Sequence, residues 1–170
     1  MPAPQSGKVI PVLPLNEDQR YDSGVTMKLR LQTDYALRAL ILLGHANRKM
    51  TANEIADAFV ISKDHLVKVI QQLARFGFVR AVPGRGGGVT LAKKASEILV
   101  RDVISEMEGT NGILDCVQDS SFCPMEPGCH LRRLLMKAES AFYDALGGSS
   151  IADLSAGRRK GGLVNLTIEK

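Results

Sequence analysis

Residues 51–92 read TANEIADAFVISKDHLVKVIQQLARFGFVRAVPGRGGGVTLA, and this stretch decides the fold. Thr51 and Glu54 stand three apart ahead of an apolar run, the spacing at which each side chain satisfies the other's free backbone amide. The spacing predicts a helix there, with Ile55, Ala56 and Phe59 facing inward, and a short turn through Val60 and Ile61. Ser62 stands as the cap of the next helix. Leu66, Val69, Ile70 and Leu73 form its core stripe, and Gly77 is a left-handed stop. Residues 78–82 and 89–92 then read as two short strands joined by the glycine-rich turn at 83–88. Two helices across a short turn, followed by a hairpin, are the order of a winged helix-turn-helix, whose second helix lies in a DNA groove.

Upstream, a first helix is expected over 33–45, with Thr33 as its cap, Asp34 in its first turn and a broad apolar face at Tyr35, Ala36, Ala39, Leu40, Leu42 and Leu43. Downstream, residues 96–108 read as a fourth helix and residues 109–129 as a loop rich in Gly, Pro, Asp and Ser. A last helix covers 130–146, with the stripe Leu131, Leu134, Leu135, Ala138, Phe142 and Leu146. The fold class is therefore mainly α with a small β-hairpin wing. A winged helix-turn-helix domain spans 27–95, and dimerisation helices with a cysteine-bearing loop span 96–147. Residues 1–26 hold four of the seven prolines and no helical period, and are expected to be a disordered or extra tail. Residues 148–170, basic at Arg158, Arg159 and Lys160, are expected to be a flexible basic tail.

The chain has 170 residues, 45% of them hydrophobic and 24% charged, with a net charge of +4 and a pI of about 9.1. That balance suits a globular protein and permits binding to phosphates. No apolar run is long enough to span a bilayer and no secretory signal opens the chain, so a cytoplasmic location is expected. No glycine-rich phosphate loop follows a strand and no nucleophile–base pair stands out, which argues against an enzyme.

For DNA recognition, the polar face of the third helix supplies the candidates. Ser62, Lys63 and His65 near its start are placed for base edges, and Gln71 and Gln72 for an adenine edge. Lys63, Lys68 and Arg75 suit phosphates, which position a protein without specifying sequence. Arg85, alone among four glycines in the hairpin turn, suits a minor groove, because glycine lets the backbone approach closely. The apolar stripe of the last helix suggests a homodimer reading a palindromic operator in double-stranded DNA.

Cys116, Cys123 and Cys129 are the only cysteines, separated by six and five residues within one loop. In a reducing compartment, clustered thiols point to metal ligation or redox sensing rather than to structural disulfides. Structural zinc favours closely spaced pairs, absent here, whereas three widely spaced thiolates can wrap an iron–sulfur cluster. A cubane needs a fourth ligand, and Asp34, Asp115, Glu126 and His130 all have suitable chemistry. A thiol–disulfide sensor is the rival chemistry and leaves one cysteine unused.

The segment MKLRLQTDYALR at 27–38, the wing at 84–88 and the three-cysteine loop together resemble the Rrf-type family of iron–sulfur winged-helix transcription regulators, over about residues 27–147. Thr33, Asp34 and Tyr35, with the segment from Phe122, Cys123 and Pro124 to Gly128 and Cys129, are most similar to its nitric-oxide-sensitive, NsrR-like branch. The resemblance implies a dimer with crossed C-terminal helices. It implies that Cys116, Cys123 and Cys129 hold a four-iron, four-sulfur cluster, a two-iron, two-sulfur cluster being the smaller alternative. It also implies that Asp34 of the partner subunit is the fourth ligand and that nitric oxide, by attacking the cluster, releases operator DNA. Iron or redox state is the alternative signal.

Overall fold

The computed structural model describes residues 28–109, 113, 117, 125 and 128–156. Their elements run α1 (Leu31–Ala46), α2 (Ala52–Phe59), α3 (Lys63–Arg75), β1 (Val79–Val82), β2 (Gly88–Leu91), a short 3-10 turn (Ala95–Glu97), α4 (Val100–Glu108), α5 (His130–Leu146) and α6 (Ile151–Ser155). Helix α1 is central. It packs against α3, α4 and α6, and its Leu40 and Leu42 are sealed in the core with Met50, Ile55, Leu66, Leu73, Ile98 and Ile151.

The helix-turn-helix follows the capping pattern of its sequence. Thr51 donates its N–H to the Glu54 carboxylate at 2.7 Å, and Glu54 returns its own N–H to the Thr51 hydroxyl at 3.2 Å. The Thr51 N–H and the Thr51 hydroxyl, which donates to the same carboxylate at 2.9 Å, hold the Glu54 carboxyl below the usual carboxylate range, with the Arg48 guanidinium 2.9 Å away adding to the effect. Helix α2 then ends in a Schellman motif. Ile61 donates to the Ala56 carbonyl at 2.9 Å and Val60 to that of Asp57 at 3.4 Å, with Val60 in the left-handed region at φ 54°. Helix α3 ends in the same way. Phe78 donates to Leu73 at 2.9 Å and Gly77 to Ala74 at 3.1 Å, with Gly77 at φ 76°.

The wing is an antiparallel hairpin in which Val79 faces Leu91 and Val82 faces Gly88. A third segment joins it. Met50 exchanges two backbone hydrogen bonds with Val89, at 3.0 and 2.7 Å, so the α1–α2 connection forms one more rung beside β2. The wing is thus anchored to the helix-turn-helix core on both of its sides.

Several sequence expectations need correction. Thr33 does not cap α1, because the helix begins two residues earlier. Thr33 is fully buried and donates its hydroxyl to Glu108 at 2.5 Å, and Glu108 also accepts the Arg30 N–H at 2.8 Å. A carboxylate from the end of α4 therefore serves the start of α1. The fourth helix begins at Val100 rather than 96, because residues 98–100 run extended to pair with 149–151. Val100 donates to Ser149, and Ile151 to Ile98, both at 2.9 Å.

That pairing also removes residues 148–156 from the expected flexible tail. Ser150 and Asp153 form a capping box at the start of α6, and Ile151 is fully buried against α1. Residues 157–170 and 1–26 lie outside the described residues. The apolar face of α4, expected in the dimerisation unit, is used within the chain, with Val100, Val103, Ile104 and Met107 all buried in the core. The stripe of α5 divides in two. Phe142 and Leu146 turn toward the core, whereas Leu131 and Leu134 are more than half exposed.

Candidate nucleic-acid interface and cysteine loop

Ser62 occupies the N-cap position of α3, but its side chain makes no capping hydrogen bond. Asp64, Lys68, Gln71 and Arg75 are all exposed, and at i, i+4, i+7 and i+11 they share one ridge opposite the core stripe. Lys63 and Gln71 also look toward the wing. With Val67, Ile70, Ala74, the turn glycines and Thr51 and Asn53 at the start of α2, they line an open cleft of about 710 Å³. His65 is exposed on the flank away from the cleft. Arg75 sets its guanidinium over the Phe76 ring at 5.2 Å, which fixes the charge at the end of the ridge.

Gln72 departs from the expected reading face. It is half-buried, and its Oε1 is sealed from solvent with no hydrogen-bond partner. The two adjacent glutamines thus part: Gln71 faces outward and Gln72 packs inward. Adjacent positions on a helix differ by about 100°, and the sequence pattern alone placed both on one face.

Arg85 is exposed at the tip of the wing, between Gly84 at φ 91° and Gly86 at φ 79°. Gly87 closes the turn by donating to the Gly84 carbonyl at 2.9 Å, and a Cβ there would stand 2.1 Å from the Val82 carbonyl oxygen. Only glycine fits that position. Lys49 escaped the sequence reading. Its ammonium donates to the Gly86 carbonyl at 2.6 Å, and its stem fills the space a Gly88 side chain would need. Lys49 holds the wing tip and adds a positive charge beside Arg85; the only hint in the sequence was a basic pair, Arg48 and Lys49, just before the Thr51 cap.

Asp34 stands half-buried on the first turn of α1. The Arg38 Nε–H lies 2.9 Å from both of its carboxylate oxygens, and Arg38 sits over the Phe59 ring at 5.8 Å. Cys129 is a half-buried free thiol at the N-cap of α5, where its sulfur accepts the Arg132 N–H at 3.5 Å. His130 begins α5 in an exposed position. Cys116 and Cys123, with Asp115 and Glu126, lie outside the described residues. Among the described residues no three His, Cys, Asp or Glu side chains gather around a common point.

A helix-turn-helix with an anchored wing, and with Lys68 and Arg75 on the outer ridge of its second helix, has the make-up of a winged-helix DNA-binding protein. Residues 29–157 match the Rrf2 family, described as iron-dependent transcriptional regulators, and the chain belongs to that family. It is a DNA-binding transcriptional regulator, of a family whose members act as dimers. Solved structures share the fold. CymR of B. subtilis, described as its global cysteine regulator, is 23% identical with a TM-score of 0.61, over 76% of this chain and 97% of that one. IscR of T. potens is 20% identical with a TM-score of 0.64, over 82% and 95%. The oxidised form of Staphylococcus aureus CymR is 23% identical with a TM-score of 0.58, over 76% and 96%. Among the described residues no helix is long and apolar enough to cross a membrane.

Proposed function

We propose that this chain is a homodimeric repressor that holds an iron–sulfur cluster and releases a palindromic operator when nitric oxide reaches that cluster. The observation that carries the reading is the placement of Cys129. The last of three cysteines in one loop is a free, half-buried thiol at the start of a helix whose outer face is uncovered. Leu131, Leu134, Ala138, Ala141 and Ala145 are all exposed and follow the alternating three- and four-residue steps of a helix-pairing seam. A second copy of α5 would cover that seam, and the small alanines at its far end would let the two helices come close.

The donor set fits a four-iron, four-sulfur cluster: three soft thiolates from Cys116, Cys123 and Cys129, with the Asp34 carboxylate of the partner subunit as the fourth ligand. When bound, the cluster supplies iron with which nitric oxide reacts. The protein's own residues transmit the change. Arg38 orients Asp34 at the first turn of α1, and α1 is the helix against which the DNA-binding α3 packs. A signal alters operator occupancy only if it favours one protein state, and a coupling of about 1–3 kcal/mol weakens binding about 5–150-fold.

Anaerobic purification of Cys116→Ala, Cys123→Ala and Cys129→Ala, followed by iron and acid-labile sulfide assay, tests the site. Each variant should lack the cluster; a full iron load in all three removes the assignment. An iron-responsive repressor is the second reading. It is favoured by the family's description as iron-dependent.

A further inference from the structure

We propose that Lys49, from the connection between α1 and α2, is a phosphate-binding residue of the wing, pinned at the wing tip so that its charge meets the DNA backbone beside Arg85. The make-up of the tip explains why it needs a tether. Residues 83–88 hold four glycines, and the only long side chain among them is that of Arg85. Glycine gives the turn its tight shape and also the most conformational freedom to lose. Lys49 supplies a tether from outside the hairpin. Its neighbour Met50 forms the rung beside Val89, which brings the Lys49 backbone next to the start of β2. The lysine stem lies across Gly88, where a Cβ would stand 2.8 Å from Lys49 Cγ. The ammonium then donates to the Gly86 carbonyl at 2.6 Å, one residue from Arg85.

The charge held there is not neutralised within the chain. Of the basic pair at 48 and 49, Arg48 meets the Glu54 carboxylate at 2.9 Å. Lys49 is exposed, and among the described residues it forms no ion pair with a carboxylate. Its partner is a neutral carbonyl, which leaves the full positive charge in place. An ammonium carries three N–H donors, and Gly86 takes one of them. The surroundings share its sign. Between Asp64 and Glu97, a span that holds most of α3 and the whole wing, the chain has no acidic residue, and Lys68, Arg75, Arg80 and Arg85 are all exposed on it. The ligand that fits an unneutralised ammonium at the tip of a DNA-binding wing is the phosphate backbone, which lysine contacts as a point charge without reading sequence. The tether serves the same end, because a tip already held in place loses less freedom on binding.

The inference rests on membership of a DNA-binding family and not on the cluster or its signal, so its failure and theirs are distinct. The test compares the full chain with Lys49→Met and Lys49→Arg on a long mixed-sequence duplex across a salt series, read by fluorescence anisotropy. Methionine keeps an apolar stem against Gly88 and removes the charge, whereas arginine keeps the charge. Each phosphate contact contributes about 0.9 to the slope of log affinity against log salt. Lys49→Met should show a slope shallower by about 0.9 for each chain bound, so that a fourfold rise in salt costs it about 3.5-fold less affinity than it costs the parent. Lys49→Arg should keep the parent slope. A methionine variant with the parent slope would overturn the proposal whatever its affinity at any one salt concentration, because weaker binding alone would leave Lys49 as a prop for the wing. An arginine variant as shallow as the methionine one would overturn it as well.

Discussion

Replacing Val60 with glycine should raise the melting temperature. The two helices of the helix-turn-helix end in the same hydrogen-bonded motif, one with Gly77 at the left-handed position and the other with Val60. An L-residue in that region costs about 1–2 kcal/mol through the clash between its Cβ and the backbone, and a β-branched residue is a marked outlier there. The Val60 side chain is 95% exposed, so removing it forfeits almost no burial. Against the relief stands the greater freedom of glycine in the unfolded chain, about 0.4–1 kcal/mol. The net gain is about 0.5–1 kcal/mol, or about 1–4 °C for a chain of this size. The reciprocal change, Gly77→Ala, meets no atom within 4 Å of the new Cβ, so its cost is conformational alone and should lower the melting temperature. Thermal unfolding followed by circular dichroism reads both. A Val60→Gly variant that melts below the parent, or a Gly77→Ala variant that does not, would refute the reasoning.

The remaining predictions concern the wing, the cap and the expected ligand. Gly87→Ala places a methyl against two backbone carbonyls and must open the turn that presents Arg85, so DNA affinity should fall about tenfold, or about 1.4 kcal/mol; parental affinity by fluorescence anisotropy would count against it. Thr51→Ala should cost about 0.5–2 kcal/mol at neutral pH. Because the folded Glu54 carboxyl lies below its usual range, this stability is present above the ordinary carboxylate pKa and is lost as pH falls through the folded value, so denaturant titrations should show parent and variant converging in acid. Asp34→Ala breaks only an exposed pair with Arg38, so the melting temperature of the cluster-free chain should barely move while cluster retention falls. Parental iron content after anaerobic gel filtration would remove Asp34 from the ligand set.

The helix-turn-helix was legible because its signals are local. A capping box, a 3.6-residue stripe and a glycine stop act over a few residues, and α2, α3 and the hairpin follow them closely. What was missed depends on contacts distant in sequence. Thr33 looks like a cap until Glu108, 75 residues away, claims its hydroxyl. Residues 98–100 and 150–155 look like a helix start and a loose tail until they pair with each other. Lys49 gives no local sign that its partner is a carbonyl in the wing, 37 residues on. The apolar positions of α5 formed one stripe in the sequence, because periodicity shows which residues are apolar but not how many surfaces share them. The cysteine loop was legible as chemistry alone, through thiol clustering, and Asp34 only through family resemblance.

The central claim is that one cluster both receives nitric oxide and controls DNA binding. It is tested most directly by adding nitric oxide anaerobically to the cluster-loaded protein on its promoter fragment, following visible absorption and DNA occupancy in the same sample. The account predicts that the cluster absorption is lost and the DNA released together, with the same stoichiometry. Absorption that persists under nitric oxide, with DNA occupancy following iron supply instead, would contradict it.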